Sequence, residues 1–432
     1  MAEADLADKH LSELHAEAAR LGVPGYRMLR REHLIEEIAK RTGDAEAPEE
    51  AAGPDAPEEV DGPDAPEEVV EPSEPSRAER REAPTEQVSG ILDRTYRGYG
   101  FLRLRGLEPA PGDVYISASQ IRRCELRLGD QVSGPARQPE RGERYRALVH
   151  VDLVNGLEPE EGIERTELDD LTAVAPRRRL RLDPDPVDIL TRAIDLLVPL
   201  AFGQRVLVWA PPRSGRTTLL RGLAGAIQAS ADRPGLVMLL VDEGPEEATA
   251  WGEMFPELEL AVASAEMRPR EQGRIGQLAV ERAKRRAESG EDVVLLVDSL
   301  SRLVGTNGDP ARVKRIFGAG RELAEQEAGS LTVIATVLDG GADEGAARAA
   351  LETTENALIR LDPELAAAGV YPALRVEDCR ASGEDELREP AELEAVRGLR
   401  SMLAGREPAE AAALLRERIE ATRTNAELLS DV

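Results

Sequence analysis

Four apolar runs, Val206–Ala210, Leu236–Val241, Val293–Val297 and Leu331–Val337, recur with helical stretches between them. Short runs without polar alternation read as strands buried on both faces, so residues 206–376 predict an α/β domain with a mainly parallel sheet. A different pattern precedes it. VSGILDR, GYGFLRL, DVYISAS, DQVSGPA and YRALVHVDLV alternate or run apolar across residues 87–155, with Gly, Asp and Pro between them. Short strands so closely spaced predict a small β-barrel of the OB or cold-shock type. Near the start, Leu11, Leu14, Ala18 and Leu21, then Leu29, Leu34, Ile35 and Ile38, keep helical spacing around a turn at Gly22–Gly25. They give a small helical domain over 6–42, read as a cap, an oligomerisation arm or a nucleic-acid contact. Helical patterns return at Ala391–Leu403 and Pro408–Arg423, as a packing or subunit-contact element.

Charge changes the picture in one place. Residues 44–76 hold thirteen Asp and Glu, no Lys or Arg, and two copies of GPDAPEEV, at Gly53–Val60 and Gly62–Val69. Such a stretch cannot bury a core, so 43–86 is expected to be a disordered acidic linker. Removing it roughly halves the net charge of −28, so the acidity of the whole chain does not exclude a nucleic-acid partner. The expected parts are the helical domain 6–42, the linker 43–86, the barrel 87–156, a solvated connector 157–195 and the α/β domain 196–425. The basic run Arg177–Leu182 in the connector is solvated or meets a nucleic-acid backbone. Only Lys9, Lys40, Lys284 and Lys314 are lysines, so arginine carries nearly all the positive charge. Cys124 and Cys379 make no disulfide framework or metal-ligand pattern. With no signal peptide and no bilayer-length apolar run, the expectation is a soluble cytoplasmic protein.

The candidate chemistry lies at the strand ends and on the barrel. Val206–Ala210 leads through Pro211, Pro212, Arg213, Ser214 and Gly215 into a helix opening at Arg216, Thr217 and Thr218 and running to about Gln228. A strand, a small-residue loop and a helix start can cradle phosphates with backbone N–H groups. The P-loop pattern is met at Gly215 and Thr217 and missed at Ala210 and Arg216. Taken alone, the stretch fits an ordinary strand–turn–helix equally well. Asp242 and Glu243 follow the second run, Asp298 ends the third, and Thr336 lies near the end of the fourth, where α/β sheets bind ligands. Asp298 suits a Mg²⁺-holding role, and Glu243 suits orienting and deprotonating a water. On the barrel, Tyr96, Tyr99, Phe101, Tyr115 and Tyr145 cluster among arginines. Tyr99, Phe101 and Arg103 share one face of a strand, a stacking platform for unpaired bases unless that face is the barrel core.

Taken in order, these parts resemble the bacterial transcription termination factor Rho family from end to end. Residues 8–42 are similar to its N-terminal domain. Gly98–Arg103, Asp113–Ser117, Ser119–Arg123 and Gly142–Tyr145 look like its primary RNA-binding motifs. Ala210–Thr217 resembles its A-P-P-K-x-G-K-T loop, Val241–Glu247 its D-E-R-P-E-E segment, and Val297–Leu303 and Lys314–Ala319 also match. The resemblance implies a multidomain chain with a RecA-like P-loop ATPase domain that assembles as a homohexameric ring, alone or mixed with another Rho. It implies C-rich single-stranded RNA, RNA polymerase, ATP and Mg²⁺ as partners and cofactors, and transcript release by translocation. Carried over, RNA-binding falls to Tyr99, Phe101, Arg103, Tyr115, Arg122, Glu143 and Tyr145. Nucleotide-binding falls to Ala201, Phe202, Gly203, Gln204, Arg205 and Val206, to Arg213, Ser214, Gly215, Arg216, Thr217 and Thr218, and to Gly244. Glu243, Arg216 and Asp298 are catalytic, and Thr217 and Asp298 hold the metal.

The departures fall on the ATPase domain. Arg213 and Arg216 replace both loop lysines, and a bulkier planar guanidinium reaches phosphates differently from an ammonium. Gly244 stands where the family has Arg. The segment from Leu303 to Lys314 is short, Gly340–Glu344 lacks a Lys, and Arg380 is the nearby substitute for a trans-acting arginine. A second reading is therefore a catalytically weakened RNA- and nucleotide-binding regulator. A third makes the α/β domain a purely structural support for oligomers.

Overall fold

The computed structural model describes Ile35 and residues 84–159, 165–182, 188–304, 310–325, 327–338 and 342–431. Contacts divide the chain into units 1–68 and 69–432. The expected N-terminal domain and most of the acidic linker lie outside the described residues; Ile35 is helical.

The barrel consists of β1 (Thr85–Arg94), β2 (Gly100–Arg103), β3 (Val114–Ile116), β4 (Gln131–Arg137), β5 (Arg146–Leu148) and β6 (Leu153–Val154), with helix α1 (Ala118–Arg123) after β3. Its order is β1-β2-β3-β5-β4-β6, and pairing of β1 with β4 closes it. Closure needs Gly90: a Cβ there would lie 2.8 Å from the Arg103 carbonyl oxygen. Alternation sends Leu92, Leu102, Val114, Ile116 and Val132 inward, where Ile121 of α1 joins them. Ser117 and Gln120 cap α1 reciprocally.

The second sheet holds β7 (Arg205–Trp209), β8 (Gly235–Val241), β9 (Glu259–Ala263), β10 (Val293–Asp298), β11 (Leu331–Val337), β12 (Ala357–Arg360) and β13 (Arg380–Ala381). The order is β9-β8-β10-β11-β7-β12-β13. The β8–β9, β8–β10, β10–β11, β7–β11 and β7–β12 pairs are parallel; β13 runs antiparallel to β12. The four apolar runs are therefore strands, as the pattern predicts. Val206 and Val208 face one core and Leu207 the other, which is why the run lacks polar alternation. Helices α2 (Ile189–Leu197), α3 (Arg216–Ala229), α4 (Pro245–Met254), α5 (Pro269–Glu288) and α6 (Ala342–Leu351) flank the sheet, followed by α7 (Pro390–Leu403), α8 (Pro408–Glu420) and α9 (Asn425–Ser430). Arg192 of α2 donates to Asn425 and to the carbonyls of Ile419 and Thr422, so the C-terminal helices pack on this domain.

The connector is largely exposed, as expected, but it is pinned to the α/β domain at several points. Ala173–Val174 pairs with Glu322–Leu323, Arg179–Leu180 pairs with Leu200–Ala201, and Leu180 and Leu182 are fully buried. Three of its arginines are paired: Arg177 to Glu386, Arg178 to Asp292 and Glu322, Arg179 to Asp195 and Glu392. The run Arg177–Leu182 therefore acts as a strap on the α/β domain, with the Arg177 and Arg178 side chains still exposed.

Helix α5 is the seat of the barrel. Asp93 of β1 accepts from Arg274 Nε and Nη2 at 3.0 and 2.8 Å. Arg282 donates to Gln131 at 3.2 Å, and Arg127 bonds Glu288 at 2.7 Å. Gly129, at φ 86°, leaves no room for a side chain: a Cβ would stand 2.5 Å from the Arg282 nitrogen. Glu108 accepts from the Val262 N–H and so covers edge strand β9.

Candidate functional site

The loop after β7 ends at Gly215, the N-cap of α3. Arg213 and Gly215 adopt left-handed φ values of 64° and 95°, a backbone that turns successive N–H groups toward one concavity. No side chain caps α3, which leaves its first N–H groups for a ligand. Ser214 is buried and its hydroxyl has no partner among the described residues. Ala210 is tied to β11 by its N–H on the Val337 carbonyl, 3.0 Å.

Arg216, the first residue of α3, reaches across the strand ends. Its Nη2 donates to Glu243 Oε1 at 2.5 Å, and its Nε lies 2.9 Å from Asp298 Oδ1. Arg302 donates through Nη1 to the same Glu243 oxygen at 2.7 Å and to the carbonyls of Asp242 and Val241 at 2.7 and 3.1 Å. Asp298 also accepts from the Thr336 hydroxyl at 2.9 Å. Burial pushes the Asp298 carboxyl up to about 6, against the opposing pull of Arg216 and Thr336. The three residues expected to be catalytic thus meet. Arg302 and Thr336 complete the cluster. Thr336 stands near a strand end where the sequence pattern places a ligand site, and Arg302 lies in the Val297–Leu303 segment. Gly244 follows Glu243 as the N-cap of α4, which keeps it beside the cluster.

The Ala201–Val206 run does not join this site. It enters β7 from the opposite end, and the five-residue strand spans about 16 Å at ~3.3 Å per residue. Its groups have other work: Gly203 N–H bonds Thr332, Gln204 bonds Ala201 N–H and the Pro199 carbonyl, and Arg205 bonds the Thr354 and Gly320 carbonyls. Arg380, on edge strand β13, pairs with Glu355 at 3.1 Å and keeps its side chain 61% exposed. The short segment's residues 305–309, and Gly340 and Gly341, lie outside the described residues.

Thr217 and Asp298 offer a hydroxyl and a carboxylate, hard oxygen donors that suit Mg²⁺ with water. The fit is conditional on Arg216, whose Nε now covers Asp298 Oδ1.

On the barrel, Tyr99, Phe101 and Tyr145 lie half-buried on the face away from the interior cluster, while Tyr115, expected to meet RNA, is buried at 4% exposure among them. Tyr99, Phe101 and Tyr115 meet at centroid distances of 5.6 to 6.0 Å, and Phe101 lies 4.9 Å from Tyr145. Two further expectations change here. Arg103 shares the face but is buried in its floor, bonded to Asp113 at 2.6 Å and to Asp93, with its guanidinium 5.7 Å from the Phe101 ring. Glu143 is held by Arg137 in a two-point pair at 2.6 Å each and closes the loop before Tyr145. Both shape the shelf. Arg122 stays exposed on the last turn of α1. One oxygen of Asp113, Oδ1, is buried without a partner among the described residues.

A model of the Rho termination factor RNA-binding domain matches residues 88–160, and one of its N-terminal domain matches 5–46. Residues 191–309 match the ATP synthase alpha/beta family nucleotide-binding domain. The transcription termination factor Rho of Aquifex aeolicus is 37% identical over 366 residues, covering 79% of this chain and 84% of that protein. This chain belongs to the Rho family. The Bacillus subtilis Rho factor is 38% identical over 71% of this chain and 75% of its own length. The Streptomyces lividans Rho factor is 38% identical over 80% of this chain, which spans only about half, 51%, of that protein. The family's RecA-like nucleotide domain and OB-like RNA domain are thus the two bodies seated on α5. Among the described residues no helix is long and apolar enough to cross a membrane.

Proposed function

We propose that this Rho-family protein binds single-stranded RNA on its aromatic shelf, hydrolyses ATP at the loop after β7, and uses that turnover to translocate and release transcripts. The supporting observation is the convergence of Arg216, Glu243 and Asp298 beside an uncapped helix start and a left-handed loop. ATP phosphates would lie against the N–H groups of residues 213–217. Arg216 would then leave the two carboxylates for the β- and γ-phosphate oxygens, which frees Glu243 to take the proton of the attacking water. Thr217 and Asp298 would hold Mg²⁺, which when bound neutralises charge developing on those oxygens. A ring of six copies, pure or mixed with another Rho, contact with RNA polymerase, a trans role for Arg380 and a cytoplasmic setting belong to the same reading.

ATP turnover measured with and without poly(C) RNA tests it. RNA should stimulate hydrolysis, and Glu243→Gln should lower turnover by about 10²-fold or more. Turnover indifferent to Glu243→Gln would overturn the assignment. The Arg216 bridge favours a second reading, a regulator that binds RNA and nucleotide with little hydrolysis, because the bridge neutralises both carboxylates. Hydrolysis that appears only in Arg216→Lys would select it.

A further inference from the structure

The hairpin between β1 and β2 carries a feature that the shelf does not use. Thr95–Gly98 is a closed turn: the Gly98 N–H donates to the Thr95 carbonyl at 3.1 Å and Thr95 N–H to the Tyr99 carbonyl at 2.8 Å. Gly98 supplies the required φ of 93°. At its tip Tyr96 is 86% exposed, the most exposed large hydrophobic side chain among the described residues. It is not loose. Arg97 donates through Nε to the Tyr96 hydroxyl at 3.1 Å, and its guanidinium lies 5.6 Å from the ring centroid. A ring held open to solvent with a cation beside it is a stacking platform with nothing yet stacked on it.

The surroundings give the platform a direction. The tip lies against the start of α1, since a Cβ on Gly98 would fall 3.8 Å from that of Ala118. Along α1, a cavity of about 550 Å³ opens between barrel and connector, lined among others by Arg94, Arg122, Arg127 and Arg165. Arg127 and Arg165 are spent on Glu288 and Asp130. Arg94 and Arg122 are exposed, and their side chains carry no hydrogen bond or ion pair among the described residues. Carboxylates of Glu125, Glu167 and Asp170 line the same cavity, so a lone anion gains little there. A nucleotide already anchored by its base does better.

We infer that Tyr96 is a further base-stacking position for single-stranded RNA, with Arg94 and Arg122 taking the phosphates of the nucleotides that leave the shelf toward the connector. The inference rests on the RNA-binding reading above and extends its footprint.

Fluorescence anisotropy on the full chain separates the two claims. The probes are a cytidine dinucleotide, which the shelf alone accommodates, and an oligocytidylate of about ten nucleotides, within the span of one OB fold. Tyr96→Ala should weaken the longer probe about tenfold, one lost stack, and leave the dinucleotide unchanged; Tyr96→Phe should restore it. Arg94→Ala should reduce the salt slope of the longer probe by about one unit. Equal weakening of both probes, or of neither, overturns the inference while the shelf reading stands. Failure of the unaltered protein to bind either probe overturns the shelf reading itself.

Discussion

Arg216 shows what one substitution does to a site whose neighbours are all in place. Its two-pronged guanidinium bridges Glu243 and Asp298 at once, a geometry that a lysine's point charge would not reproduce with the same fixed fork. The sequence makes the replacement plain, whereas the bridge is a matter of reach across strand ends. Arg302 and Thr336 were harder to assign because each acts through a neighbour, one through Glu243 and the other through Asp298. That Tyr99, Phe101 and Arg103 share a face follows from strand parity, but that the face lies away from the interior does not. Nor does the burial of Arg103, because Asp93 and Asp113 arrive from other strands. With Asp298 raised to about 6, protonation competes with metal, which needs the carboxylate. Mg²⁺-dependent nucleotide affinity should therefore fall as pH drops through about 6. Isothermal titration across that range checks it, and a flat profile would show that Asp298 does not hold the metal.

Among the elements, α5 separates what can be read from the chain from what cannot. Its helical pattern is legible, yet nothing local to it says that a barrel more than a hundred residues earlier will sit on it. Strands β9 and β12 are not legible in the chain because they are short and rich in Ala or end in Arg, unlike the Val- and Leu-rich runs between them. Two substitutions test the seat. Asp93→Ala leaves Arg103 buried without one partner and should cost about 3–5 kcal/mol, read as a lower urea midpoint. Arg274→Ala removes the other, half-exposed end of the same link and should cost under about 1 kcal/mol. Gly129→Ala forces a Cβ into the α5 backbone, so it should loosen the barrel and raise hydrogen exchange along both surfaces. Unchanged exchange would mean that the barrel does not rest there.

For the whole molecule, the two bodies are fastened by paired charges as much as by apolar contact. That suits a chain in which arginine supplies nearly all the positive charge. Burial alone would raise the Asp292 carboxyl, but Arg178 and Ser330 outweigh it and hold it below the ordinary 3.8. A depressed value means that the carboxylate stabilises the fold above pH 3.8 and loses that effect as pH falls through the folded-state value. Asp292→Asn should flatten the acid limb of the unfolding profile, and an unchanged limb would assign it to other carboxylates. Helix α5 rests on β8, β9 and β10 on its far side. The ends of β8 and β10 lead directly to Asp242, Glu243 and Asp298. Under the proposed translocation, tension on RNA held at the shelf would pass through α5 into the strands that carry Asp242, Glu243 and Asp298.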